Sequence, residues 1–180
     1  IYINEAFSCS HRKQASINTI TKFIDSYGGP GLKKEIDSIN LMIKNKKSPV
    51  TCIIGGSKVS TKINILSKLL KIADNLVIVG AMANNFIMFK GINVGASVIE
   101  KGSEEKVKSI NSLAEKYNCN IIIPVDCNTS TNIKGDDNYK LLNDLSREDI
   151  ILDIGKKTVE LISNVINNSN TVFWNGPAGY

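Results

Sequence analysis

Residues 51–66 read TCIIGGSKVSTKINIL. An apolar, β-branched run from Val50 to Ile54 stops at Gly55-Gly56, and a helical pattern follows with Val59, Ile63, Leu66 and Leu70 on one side. Apolarity on successive residues, rather than alternation, is how a strand covered on both faces reads. Strand, glycine turn and amphipathic helix in that order predict the first half of a βαβ unit. Lys58 and Lys62 sit four residues apart at the start of the predicted helix, Lys58–Ala73. There they flank free N–H groups and the positive end of the helix dipole.

The same grammar repeats outward from this stretch. Further apolar runs occur at Leu76–Val79, Ile121–Pro124 and Thr171–Trp174. Helical periodicity occupies Ala83–Phe89, Ser103–Tyr117, with Val107, Ile110, Leu113 and Ala114 in register, and Thr158–Asn167, with Val159, Ile162 and Ile166. The fold class is therefore α/β: a parallel sheet with helices on both faces. Upstream, Ile1–Phe7 reads as a strand running into a loop. Gly28-Gly29-Pro30-Gly31 breaks the chain, and Leu32–Lys44 repeats Leu32, Ile36, Ile39 and Ile43 as an amphipathic helix. These patterns divide the chain into residues 1–30, a connecting helix at 31–46, and a larger domain at 47–180. Asn128–Asn143 is polar and rich in Asn, Asp and Gly, and is predicted to be a loop or irregular insertion.

The 180 residues are 42% hydrophobic, enough for a sizeable core. No apolar run has the length of a membrane span and no charged-then-apolar leader opens the chain, so a cytoplasmic protein without membrane partners is expected. The chain opens on Ile1 and closes on Gly179-Tyr180 just after a turn, as a piece of something longer would. Net charge is +5, from 22 Lys+Arg and 17 Asp+Glu. Arg appears only at Arg12 and Arg147, and the densest basic cluster is Lys44, Lys46 and Lys47 with no interleaved aromatics. That pattern argues against nucleic-acid binding. Cys9, Cys52, Cys119 and Cys127 lack metal-type spacing, and the single histidine, His11, leaves no zinc set. They are expected as free thiols, Cys52 and Cys119 being buried in or beside strands.

Ligands of open α/β sheets bind beyond the carboxyl ends of the strands. The residues placed there are Gly55, Gly56 and Gly80, then Pro124-Val125-Asp126, then Asn175, Gly176 and Pro177. Glycines at such ends admit a flat or anionic ligand close to the backbone. With Lys58 and Lys62 they suit a polyphosphate, although neither GxxxxGK[ST] nor GxGxxG is present. The alternative for the two lysines is a solvated helix face. His11, Arg12 and Lys13 form a second basic group, either an oxyanion grip or a surface cluster. Asp126 and Asp153 read either as neighbours of a metal-nucleotide or as caps, and Trp174 as core or pocket wall.

Six stretches together resemble one family. YINEAFSCSHRKQAS, GGSKVSTKI, GAMANNF, IIIPVDC, LDIGKKTVELI and TVFWNGPAGY are similar, in order and spacing, to motifs of phosphoglycerate kinase. The resemblance implies two α/β domains joined by a helix. One holds 3-phosphoglycerate or 1,3-bisphosphoglycerate and the other holds Mg2+ with ADP or ATP, with hinge closure between them. It implies that Arg12 grips the triose with His11 beside it, that Lys58 touches the nucleotide phosphates, and that Lys62 stabilises the transferring phosphoryl. Gly55, Gly56 and Gly80 would line the adenine pocket, and Asn175 and Pro177 the nucleotide-site turn. Arg12 and Lys62 would be catalytic. The implied protein is a monomeric glycolytic transferase, and the alternative is a catalytically inactive nucleotide-binding remnant of it. A basic module that binds anions without specificity is a third reading. Three departures stand out. Ala81 replaces a family glycine, Gln14 stands where many members have a second histidine, and the family's ribose-binding glutamate and magnesium-binding aspartate have no counterpart among these residues. No metal ligand is therefore assigned in this chain.

Overall fold

The computed structural model describes residues 1–133, 135 and 137–180. The chain divides into two compact units, Ile1–Lys46 and Lys47–Tyr180. In the first, β1 (Tyr2–Asn4) pairs in parallel with β2 (Ser26–Gly28), and α1 runs from Pro30 to Lys44. Pro30 opens α1, where its missing N–H and fixed φ cost nothing. Glu5 accepts the Leu32 N–H at 3.0 Å and supplies the acceptor that Gly29, at the cap position, lacks. The expected apolar stripe of this helix is not buried within its own unit: Ile36 and Ile43 are 43% and 50% exposed. A unit of this size has too little chain to cover it.

The second unit carries the βαβ pattern. In chain order it contains β3 (Val50–Ile54), α2 (Val59–Leu69), β4 (Asn75–Ile78), α3 (Ala83–Phe89), α4 (Glu104–Tyr117) and β5 (Asn120–Ile122). There follow β6 (Asp126–Ser130), β7 (Asn138–Leu141), β8 (Ile150–Ile154), α5 (Lys156–Asn167) and β9 (Thr171–Asn175). A four-stranded parallel sheet has the order β5-β4-β3-β9. Every residue of β3 is buried, because the sheet is covered on both faces. Alternation sends Cys52 and Ile54 to one side and Ile53 to the other. On the first side they meet Val59, Leu66 and Leu69 of α2 and Val107 and Ile110 of α4. On the second, Ile53 and Val77 meet Ile162 of α5. Cys52, Cys119 and Cys127 are buried. No helix among the described residues is long and apolar enough to cross a membrane.

Asn128–Asn143 differs from its expected loop. β6, β7 and β8 form a three-stranded antiparallel sheet in the order β7-β6-β8, with a register shift at Asn128/Thr129. Lys134 and Asp136, in the same stretch, lie outside the described residues. The strands are polar in sequence because their polar groups find partners in the fold. Thr129, fully buried, donates to the Asn138 carbonyl at 3.1 Å. The Lys140 ammonium lies 2.7 Å from the Asp149 carboxylate, which also accepts the Ser146 N–H. Trp174 also departs from expectation. It is 57% exposed on β9, an edge strand, and its indole N–H donates to the Gly176 carbonyl at 2.8 Å.

Candidate active site

The carboxyl ends of β3, β4 and β9 come together at one edge of the parallel sheet. Ile54 and Asn175 are register partners, and the Gly55 N–H donates to the Asn175 carbonyl at 2.8 Å. The Gly80 N–H donates to the Ala178 carbonyl at 2.8 Å, and the Met82 N–H to the Gly56 carbonyl at 2.9 Å. Three loops are thus stitched backbone to backbone, which explains the glycines. A Cβ on Gly55 would run into the Pro177 carbonyl, and one on Gly80 (φ +70°) would sit 2.9 Å from the Gly56 nitrogen and oxygen. Their absent side chains serve the approach of loop to loop. Gly56 is different: it is partly open, and the Lys62 stem passes over it, with Cε 3.6 Å from where a Cβ would lie. Gly55→Ala should therefore destabilise the fold by about 3 kcal/mol, because the atoms in its way are backbone and cannot swing aside. Thermal unfolding reads this directly.

Lys62 and Asn175 are 113 residues apart in sequence, yet the Lys62 ammonium donates to the Asn175 side-chain oxygen at 2.7 Å. Lys58 is placed otherwise than its spacing suggests. It is exposed and occupies the N-cap position in extended conformation (φ −128°, ψ 127°), so α2 begins after it. The two lysines are therefore not stacked on one helix face. The helix terminus is not a free set of donors either, since the Ser60 N–H donates to a Glu100 carboxylate oxygen at 2.9 Å. The Ser60 hydroxyl, then this N–H, hold the Glu100 carboxyl below the usual carboxylate range, with the Lys106 ammonium adding to the effect.

Beside these loops lies a cleft of about 450 Å³, within the range of small-molecule sites. Gly56, Gly80, Ala81 and Pro177 form one wall, and Ile151–Ile154 of β8 another. This second wall is mostly apolar, with Asp153 contributing a carboxylate. The antiparallel sheet thus builds half the cleft, a role unread in the sequence. Its available signal was IILDI, a β-branched run ending at Gly155. Cys127 also lines the cleft, and burial, followed by the charges of Asp126 and Asp149, pushes its thiol up to about 11. It is inert at neutral pH.

Of the two aspartates with open roles, Asp126 is a cap. It is fully buried and accepts the N–H groups of Lys157 and Thr158, both at 2.8 Å, and the Thr158 hydroxyl at 2.6 Å. Burial alone would raise its pKa. The Thr158 hydroxyl and the two N–H groups outweigh burial and lower it. Asp153 accepts the Ile154 N–H at 2.7 Å and faces the cleft. Among the described residues, no group of three or more His, Cys, Asp or Glu could hold a metal ion. In the first unit, His11 and Arg12 are exposed, and the Arg12 N–H closes a turn on the Cys9 carbonyl at 2.9 Å.

Comparison with known proteins agrees with this geometry. The phosphoglycerate kinase family model matches residues 1–180. The phosphoglycerate kinase of Wolbachia sp. subsp. Drosophila simulans (strain wRi) is 42% identical over 180 residues, covering 99% of this chain and 45% of that protein. That of Bartonella bacilliformis is 40% identical over 185 residues, with the same two coverages, 99% and 45%. The solved structure of phosphoglycerate kinase from Coxiella burnetii matches with a TM-score of 0.85 at 29% identity, over 98% of this chain and 46% of that one. The corresponding structure from Pyrococcus horikoshii OT3 gives 0.83 at 27% identity, over 98% and 46%. The chain thus spans about half the length of these relatives. With the whole sequence matched and the parallel sheet, its glycine loops and the Lys62–Asn175 pair in place, the chain belongs to the phosphoglycerate kinase family.

Proposed function

We propose that this chain carries the nucleotide half of a kinase site. The protein of which it is part would catalyse reversible phosphoryl transfer between 1,3-bisphosphoglycerate and ADP, giving 3-phosphoglycerate and ATP, in cytoplasmic glycolysis and as a monomer. The observation that carries this reading is the Lys62 ammonium held on Asn175 at the loops that wall an apolar cleft. The cleft fits a planar base against Gly56, Gly80 and Ala81. Lys58 supplies an exposed cation and Lys62 a pre-placed one for the phosphates, and Asn175 a polar contact beside them. Phosphoryl transfer calls on positioning and neutralisation of spreading charge more than on a covalent partner, and Lys62 is the residue we assign to the transferring group. Arg12 would bind the triose with two parallel hydrogen bonds, with His11 adding to the anion site. On this reading residues 1–30 are the tail of a triose-binding domain, 31–46 the helix between domains, and 47–180 the nucleotide-binding domain.

The donor set fits a nucleotide and does not fit its metal. Among the described residues, Asp153 is the sole acidic side chain on the cleft walls, and no group of three or more His, Cys, Asp or Glu is placed to hold a metal ion. Mg2+ would accompany ADP or ATP and neutralise phosphate charge, with any protein ligand outside the described residues. For these 180 residues taken alone, nucleotide binding without turnover is the narrower proposal, since they span 45% of the Wolbachia relative.

A calorimetric titration of the full chain with Mg-ADP tests this reading. We expect saturable binding that Lys58→Ala weakens about tenfold, the worth of one charge-assisted contact. Heat that declines smoothly with added salt and ignores Lys58→Ala would instead reveal unspecific anion attraction.

A further inference from the structure

Helix α2 starts in an unusual way. Its N-cap residue is Lys58, and a lysine side chain has donors and no acceptor. No side chain at the cap bonds the first turn, and a cation at a helix N-terminus meets the positive end of the dipole. A sequence that places a cation where a serine or aspartate belongs must find its acceptor elsewhere. It finds Glu100, forty residues downstream, whose carboxylate accepts the Ser60 N–H at 2.9 Å.

Glu100 is itself held. Its own N–H donates to the Asn85 side-chain oxygen at 2.9 Å, and that oxygen also accepts the Ser103 hydroxyl at 3.0 Å. Asn85 and Ser103 are 2% and 1% exposed. Asn85 in turn donates to the Met82 carbonyl, and the neighbouring Asn84 donates to the Val98 carbonyl at 3.0 Å. A buried polar chain therefore runs from the loop after β4, through α3, to the first turn of α2. Its last link, Glu100, bonds Ser60, two residues before Lys62, so it acts on the turn that carries the lysine.

We propose that Glu100 is a positioning residue for the phosphate site: it replaces the missing cap of α2 and so aims Lys58 and Lys62, leaving the phosphates to the lysines rather than to the helix terminus. The inference rests on the nucleotide reading above. Glu100 touches no substrate in this scheme. It acts through the lysine-bearing turn, and it occupies the place an anion would otherwise take.

The test compares ADP with adenosine in calorimetric titrations of the full chain, together with the Lys62 side-chain NMR resonance in the ligand-free protein. Glu100→Ala should weaken ADP binding about tenfold and leave adenosine unchanged, because none of residues 58–62 lines the base cleft. In a Lys62→Ala background the same substitution should cost clearly less than its roughly tenfold in wild type, leaving only the share exerted through Lys58, since residues acting through one another are not additive. Glu100→Gln keeps an acceptor oxygen and should stay within about threefold of wild type. It also serves if Glu100→Ala fails to fold. The Lys62 resonance should shift in Glu100→Ala. Equal losses for ADP and adenosine, or full additivity with Lys62→Ala, would reduce Glu100 to a structural cap and overturn the proposal. If wild type binds neither ligand, the nucleotide reading falls. The Lys62 resonance then decides the positioning role alone, a shift supporting it and an unchanged signal overturning it.

Discussion

Replacing Lys62 by alanine should lower the affinity for Mg-ADP by about 10- to 100-fold, the range expected for removing a charge-assisted contact to phosphate. The ammonium is pre-placed: its bond to Asn175 and the passage of its stem over Gly56 restrict the rotamers a free lysine would sample. Less conformational entropy is therefore lost when phosphate arrives. Asn175→Ala should accordingly reproduce part of the loss, because Lys62 would then be charged but unaimed. Calorimetry on both variants, with the melting temperature recorded alongside, separates an affinity effect from unfolding. An Asn175→Ala variant that binds ADP as wild type does would remove the pre-placement argument while leaving the charge argument intact. In an assay of the proposed phosphoryl transfer, Lys62→Ala should depress kcat more than KM, because charge on the migrating group is greatest in the transition state.

A second large effect, on stability, is expected at Asp126. Its carboxylate is fully buried and accepts two backbone N–H groups and one hydroxyl at the start of α5. Asp126→Ala strands these donors and should cost about 3 kcal/mol. For a chain of this length that corresponds to a fall in Tm of roughly 6–12 °C. The pH dependence has a defined sign. The folded-state pKa of Asp126 lies below its ordinary value, so the carboxylate's contribution is fully present above the unfolded pKa, about 4. It is lost as pH falls through the folded value. The difference in Tm between wild type and Asp126→Asn should therefore shrink as the solution is acidified below about pH 4. A difference that stays constant or grows on acidification would contradict the assigned charge state.

Much of the architecture was legible in the residues. β3 was readable because both its faces are buried, which leaves a run of apolar side chains interrupted only by Thr51, whose hydroxyl pairs with that of Ser169. α3 matched its predicted bounds, Ala83–Phe89. α2 was recognisable from Val59, Ile63, Leu66 and Leu70, although it begins at Val59 and stops at Leu69, inside the predicted span. The antiparallel sheet β7-β6-β8 was not legible. Its strands carry Thr129, Ser130 and Lys140, whose polar groups look like loop until partners from Asn138 and Asp149 are seen to satisfy them. That sheet supplies half the cleft wall, so the pocket's shape was hidden with it.

The glycines and lysines show the same division. Their position at strand ends, and hence the edge of the sheet where a ligand belongs, follows from local pattern, because burial imposes a period that each segment carries in its own residues. Their partners do not. Lys62 meets Asn175 across 113 residues, Ser60 meets Glu100 across 40, and Asp126 caps a helix beginning some 30 residues on. Gly55 and Gly80 leave no room for a side chain because Pro177 and Gly56 approach them from other loops. Hydrogen-bond satisfaction and close approach depend on which segments the fold packs together, and no periodicity within a segment records that choice.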